Sequence, residues 1–272
     1  MNVSAIPRAQ LPSRKFRIRM ISLVVVVVFL GIFLVASNVN PLQFFTEFNQ
    51  VKRLARDMWP PNLAMLFRGK ELYRSLLETI AMAFLGTLSG GVVAVLLAFA
   101  AARNTSPHPA VRFAVRTLFV MERSTPNFVI VLIFLIAAGI GPFAGVLSLS
   151  IGTLGMFGKL FADAIEHVDP SAMEGVAAVG ARRTQVIRYA AIPQVTPSFI
   201  ATSFYAFDVN LRAAIAFGVF GAGGIGFQLN LASHVLRYRD MLAYAILIIA
   251  LITAMEKISD RIRRRLMPAG LP

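Results

Sequence analysis

The stretch EGVAAVGARRTQVIRYAAIP occupies residues 174–193, and apolar segments of membrane-spanning length flank it. Just before it, Asp169 and Pro170 predict a helix start, because Asp caps free backbone N–H groups and Pro suits the first helical turn. Gly180 can adopt a left-handed conformation and end that helix with a turn. The residues that follow favour a second helix, which Pro193 closes. The pattern predicts two short helices joined by a bend, a shape that can protrude from a membrane and dock in a partner's groove. An ordinary helix–turn–helix loop between two spans is the alternative.

The composition is that of a membrane protein. Of the 272 residues, 57% are hydrophobic and only 15% are charged, and the mean hydropathy is +0.71. The sequence has no Cys, which excludes disulfides, thiol nucleophiles and Cys-based metal sites. His108, His167 and His234 lie far apart without ligand-like spacing, so no metal site is predicted. The net charge of +14 could indicate nucleic-acid binding, but the basic residues lie at the ends of apolar segments. Membrane orientation explains them better, and no nucleic-acid partner is expected.

Six apolar segments predict six membrane-spanning helices. They cover residues 20–36, 79–102, 118–138, 146–164, 197–220 and 241–255. We therefore expect an all-α polytopic membrane protein with one transmembrane domain at residues 20–260 and basic tails at 1–19 and 261–272. Neither an internal repeat nor a second domain is visible.

Two of the six segments are ambiguous. The basic start and the apolar run of the first also fit a signal peptide, but Leu34 is a poor residue at the −3 position of the candidate cleavage site, which favours a retained span. The sequence ERSTPN, residues 122–127, interrupts the third segment. Either that helix begins near Pro126 with Arg123 at its inner edge, or it is broken within the bilayer. Part of the polar stretch at 37–75 is expected to lie along the membrane surface as a helix.

The distribution of Lys and Arg predicts the orientation. The N-terminal tail, the 103–116 loop, the region 159–193 and the C-terminal tail together hold about twice as many basic residues as the connections on the opposite side. By the positive-inside rule the first side is cytoplasmic, with both termini inside. The element at residues 163–193 then lies in the cytoplasm between spans four and five, where a cytoplasmic partner protein can reach it.

Charged and polar residues within the spans are candidates for an anion path. Asp208 and Arg212 are four residues apart and share a helix face, which predicts a structural ion pair. Alternatively Arg212 lines the path, because intramembrane charges usually face a cavity or the bundle interior. Arg123 either snorkels to the inner membrane edge or belongs to the same path. Asn210 points to another side of the helix than Asp208 and Arg212, and we include it among the path candidates.

A glycine-rich run, GAGGIG at residues 221–226, follows the fifth segment. Gly221, Gly223 and Gly224 could cradle an anion through backbone N–H groups. The other interpretation is a tight re-entry of the chain or close helix packing. Nucleotide binding is not expected, because the run lacks the Lys-Ser/Thr of a phosphate-binding loop and does not follow a soluble strand.

The stretch at 174–193 resembles the cytoplasmic coupling motif of ABC importer permeases. That motif reads Glu-Ala-Ala, three residues, Gly, nine residues, Ile, one residue, Leu-Pro. The matching positions are Glu174, Gly180, Pro193 and, in place of Leu, Ile192. The departures are Gly175, Val176 and Ala190. The resemblance implies that Glu174, Gly180, Ile192 and Pro193 couple the chain to an ATPase.

A narrower resemblance concerns the substrate. FDVNLRAAIAFGVFGAGGIG, residues 207–226, is similar to the fifth-span signature of permeases for phosphonates and related reduced phosphorus anions, and methionine-importer permeases carry a similar string. GPFAGVLSLSIGTLGMFGKLFADAIEHVDPSAMEGV, residues 141–176, and the residues at 76–88 and 101–104 are closer to the phosphonate branch. The resemblance covers roughly residues 70–260.

This resemblance implies a bacterial inner-membrane permease that works as a homodimer. Its expected partners are two cytoplasmic ABC ATPase subunits and an extracytoplasmic solute-binding protein. The chain itself is expected to be non-catalytic and to bind no cofactor, because ATP and Mg are used by the ATPase. A homodimer also follows from the motif, since one chain has one coupling element and an ATPase pair offers two grooves.

Other functions are possible. A methionine or other small-solute importer would share the same motif. A secondary transporter driven by an ion gradient would show inverted repeats and acidic relay residues, whereas only Asp208 lies deep in a span. A membrane-embedded enzyme would need a clustered Asp/His or metal site. Glu166, His167 and Asp169 are adjacent in sequence but do not share one helix face.

Overall fold

The computed structural model describes residues 14–37, 46–67 and 69–266. In these residues every regular element is helical. The α-helices are α1 Arg14–Ala36, α2 Phe48–Met58, α3 Lys70–Ala101, α4 Pro109–Ser124, α5 Asn127–Ala138, α6 Pro142–Glu166, α7 Pro170–Ala178, α8 Arg183–Val186, α9 Ile192–Phe217, α10 Gly224–His234 and α11 Tyr238–Leu266. A 3₁₀ turn covers Leu63–Phe67, and π turns cover Ile187–Ala191 and Gly218–Ala222.

The chain divides into two compact units, Met1–Arg56 and Asp57–Pro272. In the first unit α1 is basic at its start and apolar on all sides from Met20 to Ala36, as expected of a membrane span. α2 is strongly amphipathic, which confirms a helix in the polar stretch at 37–75; its position at the membrane surface stays a prediction. Most of the predicted tail at 1–19 and the end of that at 261–272 lie outside the described residues.

The second unit is a helical bundle centred on α3 and α6, which share its most extensive contact. Glycines allow the two backbones to approach: a Cβ on Gly86 would overlap Leu149, and one on Gly90 would overlap the carbonyl of Ser150. The hydroxyls of Ser89 and Ser150 bridge the same contact at 2.6 Å. α9 packs against both helices, and α11 packs against α9 and α10.

The helices are consistent with six spans. Four are long and apolar enough to cross a membrane: Ile18–Ala36, Lys70–Ala101, Pro142–Glu166 and Tyr238–Arg265. Two bent pairs bring the number to six if each counts as one span: α4 with α5, bent by 90°, and Arg183–Ala222 with α10, bent by 51°. α4 ends at Ser124 and α5 begins at Asn127, so the helix is interrupted at the predicted place. Whether the spanning helix begins near Pro126 or the break lies within the bilayer stays open.

Two local predictions were wrong. Pro193 does not close a helix, because it lies in the first turn of α9, where a missing N–H is tolerated, and Pro197 lies further inside the same helix. The π turn at Ile187–Ala191 widens the ladder of hydrogen bonds just before Pro193, so the chain passes it without ending the helix. The predicted loop at 221–240 contains a further helix, α10.

Candidate functional site

The predicted coupling element begins with a capped helix. The backbone N–H of Ser171 donates to Asp169 Oδ1 at 2.9 Å, and the Ser171 hydroxyl donates to Oδ2 at 2.7 Å. These hydrogen bonds hold the pKa of the Asp169 carboxyl below its usual value, because they stabilise the charged form. The helix, α7, ends at Ala178, and Gly180 has a φ of +84°, the left-handed conformation expected from the sequence.

The tip of the element is open to its surroundings. Glu174 and Gly180 are exposed, and Val179 between them has 83% of its surface accessible. A Cβ on Gly180 would meet nothing within 4 Å. Ile192 and Pro193 are also exposed and lie at the start of α9. The motif residues therefore form two groups: Glu174 and Gly180 at and after α7, and Ile192 and Pro193 at the C-terminal end of the element.

Ionic and polar contacts attach the element to the start of α4. Glu166 Oε1 accepts hydrogen bonds from Arg116 Nη2 and from the backbone N–H of Arg103, each at 2.7 Å. The guanidinium of Arg183 donates to the carbonyl of Ser106. The segments 103–116 and 163–193, which the charge distribution assigns to one side of the membrane, are therefore in direct contact.

The expected ion pair between Asp208 and Arg212 is wrong. Arg212 pairs with Glu256 on α11, while Asp208 Oδ1 accepts a hydrogen bond from the Ser259 hydroxyl at 3.1 Å. The partner lies 44 residues along the chain and one residue beyond the predicted sixth span, so helix spacing within α9 did not reveal it. The Arg212 and Glu256 side chains keep 50% and 40% of their surface accessible. Helix α11 continues about 15 Å beyond Glu256 to Leu266, which places the pair well inside the length of the helix.

Asn210 lies inside the bundle instead of on an open path. It is buried, and its Nδ2 donates to Thr87 Oγ1 at 2.8 Å and to Thr153 Oγ1 at 2.7 Å. Both threonine hydroxyls donate in turn to carbonyls of their own helices. Asn210 thus joins α9 to α3 and α6, and both of its N–H groups are used in that contact.

Two amides of the glycine-rich run are occupied, including that of Gly224, so Gly224 is not free for the predicted anion cradle; a cradle at Gly221 and Gly223 stays a prediction. Gly224 N–H donates to Glu78 Oε2 at 3.2 Å, and Ile225 N–H donates to Thr79 Oγ1 at 2.9 Å. The alternative of close packing is correct. Gly221, Gly223 and Gly224 all have positive φ. A Cβ on Gly218 would lie 2.5 Å from the carbonyl of Gly223, and one on Gly226 would overlap the carbonyl of Ile215. Glu78 also places a negative charge at the N-terminus of α10, where the helix dipole favours it.

Arg123 lies near the end of α4, apart from Arg212. It lines a cavity of about 180 Å³ together with two other cations, Arg116 and Lys159. α4 packs against α3 and α6, whereas Arg212 faces α11. The predicted path cations therefore do not converge within one chain. Next to Arg123, the Glu122 carboxylate packs against Gly155, and its Oε2 has no hydrogen-bond partner among the described residues.

Sequence reasoning missed four charged residues of these sites: Glu78, Arg116, Lys159 and Glu256. Only Glu78 had a local signal, because Arg74 lies one turn before it and donates to it at 2.9 Å. Within the part of the chain that the structure describes, no three His, Cys, Asp or Glu side chains gather as a metal site.

Comparison with known proteins agrees with this architecture. Residues 90–268 match the family model described as binding-protein-dependent transport system inner membrane component. The phosphite transport system permease protein PtxC of Stutzerimonas stutzeri is 39% identical over 215 residues, which cover 79% of this chain and 77% of that protein. The phosphate-import permease protein PhnE of Mycolicibacterium smegmatis is 35% identical over 233 residues, covering 86% of this chain and 43% of the relative.

A solved structure shares the fold. The MetNI methionine ABC transporter, solved in inward-facing conformations, has a chain that superposes with a TM-score of 0.63 at 20% identity, covering 75% of this chain and 99% of that one. The family match extends over most of the helical bundle, from within α3 to the end of α11. The chain belongs to the family of binding-protein-dependent transport system inner membrane components, the membrane-spanning permeases of ABC transporters.

Proposed function

We propose that this chain is the permease subunit of an ATP-driven importer for a small phosphorus oxyanion such as phosphite, a phosphonate or phosphate. The substrate class is supported by the names of the relatives at 35–39% identity, which are permeases for phosphite and phosphate. The solved methionine transporter is only 20% identical and supports the fold alone. We place the chain in the bacterial inner membrane with both termini in the cytoplasm, as the distribution of Lys and Arg favours.

The observation that carries the ATP-driven part of the proposal is the exposed element at 163–193. Its left-handed turn at Gly180 presents Glu174 and Val179 outward, while Glu166 and Arg183 attach its base to the neighbouring loop. Such an element can act as a rigid lever in the groove of a partner. A separate ATPase chain would bind ATP and Mg and move the lever on closing. The bundle would then shift between outward and inward access as two packings of the same helices.

The ion pair of Arg212 and Glu256 supports a homodimer with the path between two copies. A charged pair within a span faces a cavity or another protein in most membrane proteins, because lipid cannot solvate it. In one chain this pair keeps about half of its surface accessible. A second copy packed against this face would exclude lipid and leave the Arg212 guanidinium beside a water-filled path, where it can attract an anion.

The experiment is ATPase activity of the chain reconstituted in lipid with its ATPase and binding protein. Phosphite, methylphosphonate, phosphate and methionine are added one at a time. Stimulation by a phosphorus oxyanion supports the proposal, and stimulation by methionine alone overturns the substrate class. Uptake that persists without any ATPase partner would indicate a secondary transporter, and product formation by the purified chain alone would indicate an enzyme.

Two variants test the path. Arg212→Gln should reduce stimulated uptake, because it removes the cation and leaves Glu256 unpaired. Lys257→Gln is the matched control, since Lys257 neighbours Glu256 on α11 and its side chain is exposed. Equal uptake in both variants would remove Arg212 from the path.

A further inference from the structure

Helix α4 carries a line of arginines on one face. Arg112, Arg116 and Arg123 are spaced by four and seven residues, which places them on the same side of a helix with 3.6 residues per turn. Lys159 of α6 and Arg103, which precedes the helix, lie along the same line. The line follows α4 from the predicted cytoplasmic loop toward the break at Pro126.

Two neighbouring clefts lie along this face, and we refer to them together as the groove. The first has a volume of about 280 Å³ and is lined by Arg103, Arg112, Phe113, Arg116, Thr117 and Val120. The second has a volume of about 180 Å³ and is lined by Arg116, Phe119, Val120, Arg123, Lys159 and Ala162. They share Arg116 and Val120 and are therefore adjacent.

The groove has an excess of positive charge. Glu166 is its neighbouring carboxylate; it accepts from Arg116 and lies 4.0 Å from Arg103 Nε. Arg112, Arg123 and Lys159 make no ion pair with any described residue. The carboxylate adjacent in sequence to Arg123, that of Glu122, packs against Gly155 of α6. An anionic group in the second cleft would therefore meet two cations that lack an ion-pair partner, Arg123 and Lys159, beside Arg116.

Apolar side chains beside the cations decide what kind of anion fits. Phe113 and Val120 keep 74% and 60% of their surface accessible, although both line the groove. A free hydrated oxyanion gains nothing from contact with these side chains. An acyl chain gains roughly 25 cal/mol for each Å² of apolar surface removed from water. The combination of unpaired cations with exposed apolar walls matches a phospholipid: a negatively charged head and an apolar tail.

We propose that this groove binds an anionic phospholipid of the cytoplasmic leaflet. The phosphate lies between Arg116, Arg123 and Lys159, and an acyl chain lies against Val120, the accessible apolar side chain that lines the same cleft as these cations. Polybasic surfaces at that leaflet attract anionic lipids. Because Arg116 also holds Glu166 at the base of the coupling element, the lipid headgroup contacts the residue that joins this element to α4.

The test measures lipid binding by the purified full-length chain. Phosphatidylglycerol and phosphatidylcholine are each titrated and the retained lipid is counted by native mass spectrometry. Arg123→Gln combined with Lys159→Gln should weaken phosphatidylglycerol binding by roughly 30-fold, from about 1 kcal/mol for each cation near the membrane surface. The matched control, Lys257→Gln with Arg261→Gln, removes two exposed cations of α11 and should leave that binding unchanged.

A charge-preserving variant separates a binding effect from a folding effect. Arg123→Lys combined with Lys159→Arg keeps both charges and should restore phosphatidylglycerol binding to within a few-fold of the original. Three results would overturn the proposal: equal binding of the two lipids, phosphatidylglycerol binding that is insensitive to Arg123 and Lys159, or displacement of bound lipid by millimolar phosphite. The last result would assign the cluster to a free anion. Because no ATPase partner is present, the outcome is independent of the proposed transport function.

Discussion

Replacing Asn210 with alanine removes the two hydrogen bonds that join α9 to Thr87 and Thr153. Hydrogen bonds between transmembrane helices contribute about 0.6 kcal/mol on average and about 1.7 kcal/mol at most. Two such bonds predict a loss of roughly 1–3 kcal/mol in the free energy of unfolding. Thr153→Val keeps the side-chain shape but removes one of the two acceptors, so its loss in the free energy of unfolding should fall in the lower half of this range.

The assay is unfolding in mixed micelles by increasing SDS, followed by the helical circular dichroism signal. A double-mutant cycle of Asn210→Ala and Thr153→Val should give a coupling energy of roughly 0.6–1.7 kcal/mol. Ser203→Ala is the control, because this exposed hydroxyl on α9 bonds only to a carbonyl of its own helix. It should leave the unfolding midpoint within error of the original.

Transport decides between a packing residue and a path residue. If Asn210 joins helices, uptake per folded molecule should change less than about threefold in Asn210→Ala, since the 1–3 kcal/mol is lost from stability. A variant with unchanged unfolding and uptake reduced more than tenfold would refute the reasoning. Asn210 would then contact the transported anion, as the sequence alone suggested.

Three further predictions follow from backbone and capping geometry. Gly226→Ala should lower the free energy of unfolding by about 1–3 kcal/mol in the same SDS assay, because its Cβ would overlap the carbonyl of Ile215. Gly91→Ala is the control and should be tolerated, since a Cβ at Gly91 would meet nothing within 4 Å. Gly180→Val should abolish ATPase coupling while the protein still inserts into the membrane, because Val does not tolerate the positive φ at this position. Gly180→Asn should retain much of the coupling, because Asn tolerates a positive φ. Normal coupling in Gly180→Val would contradict the proposed role of the element at 163–193. The Asp169 cap should protect the amides of α7 from hydrogen exchange at pH values above about 4, the usual pKa of an Asp carboxyl. This protection should be lost as the pH falls through the lowered pKa of Asp169 in the folded state. Asp169→Asn should remove this pH dependence.

Much of the fold was predictable because local chemistry determines it. Apolar length located the helices that are long enough to span a membrane, and the interruption before Pro126 located the break between α4 and α5. Asp169 and Gly180 act through their own neighbours in sequence, so a cap and a left-handed turn could be recognised directly. These features depend on residues that lie within one or two turns of each other.

The contacts of the candidate site were not predictable in the same way, because they join distant helices. Arg212 had an acidic neighbour at the right spacing, yet its partner is Glu256 on another helix. The amide of Gly224 looked available, but α3 supplies Glu78 as its acceptor from 146 residues away. Spacing along one helix shows which partner is close in sequence, and tertiary packing decides which of several acceptors is used.

The close contact of α3 with α6 provides a fixed reference for measuring motion. Gly90 brings the two backbones together, and the hydroxyls of Ser89 and Ser150 join them at 2.6 Å, so neither helix can slide without breaking this contact. Spin labels on these two helices should report one constant distance in every nucleotide state. A label on α11, which packs on α9 and α10, should move relative to them. The constant distance between α3 and α6 therefore serves as an internal reference for measuring, in ångströms, how far the other helices move during a transport cycle.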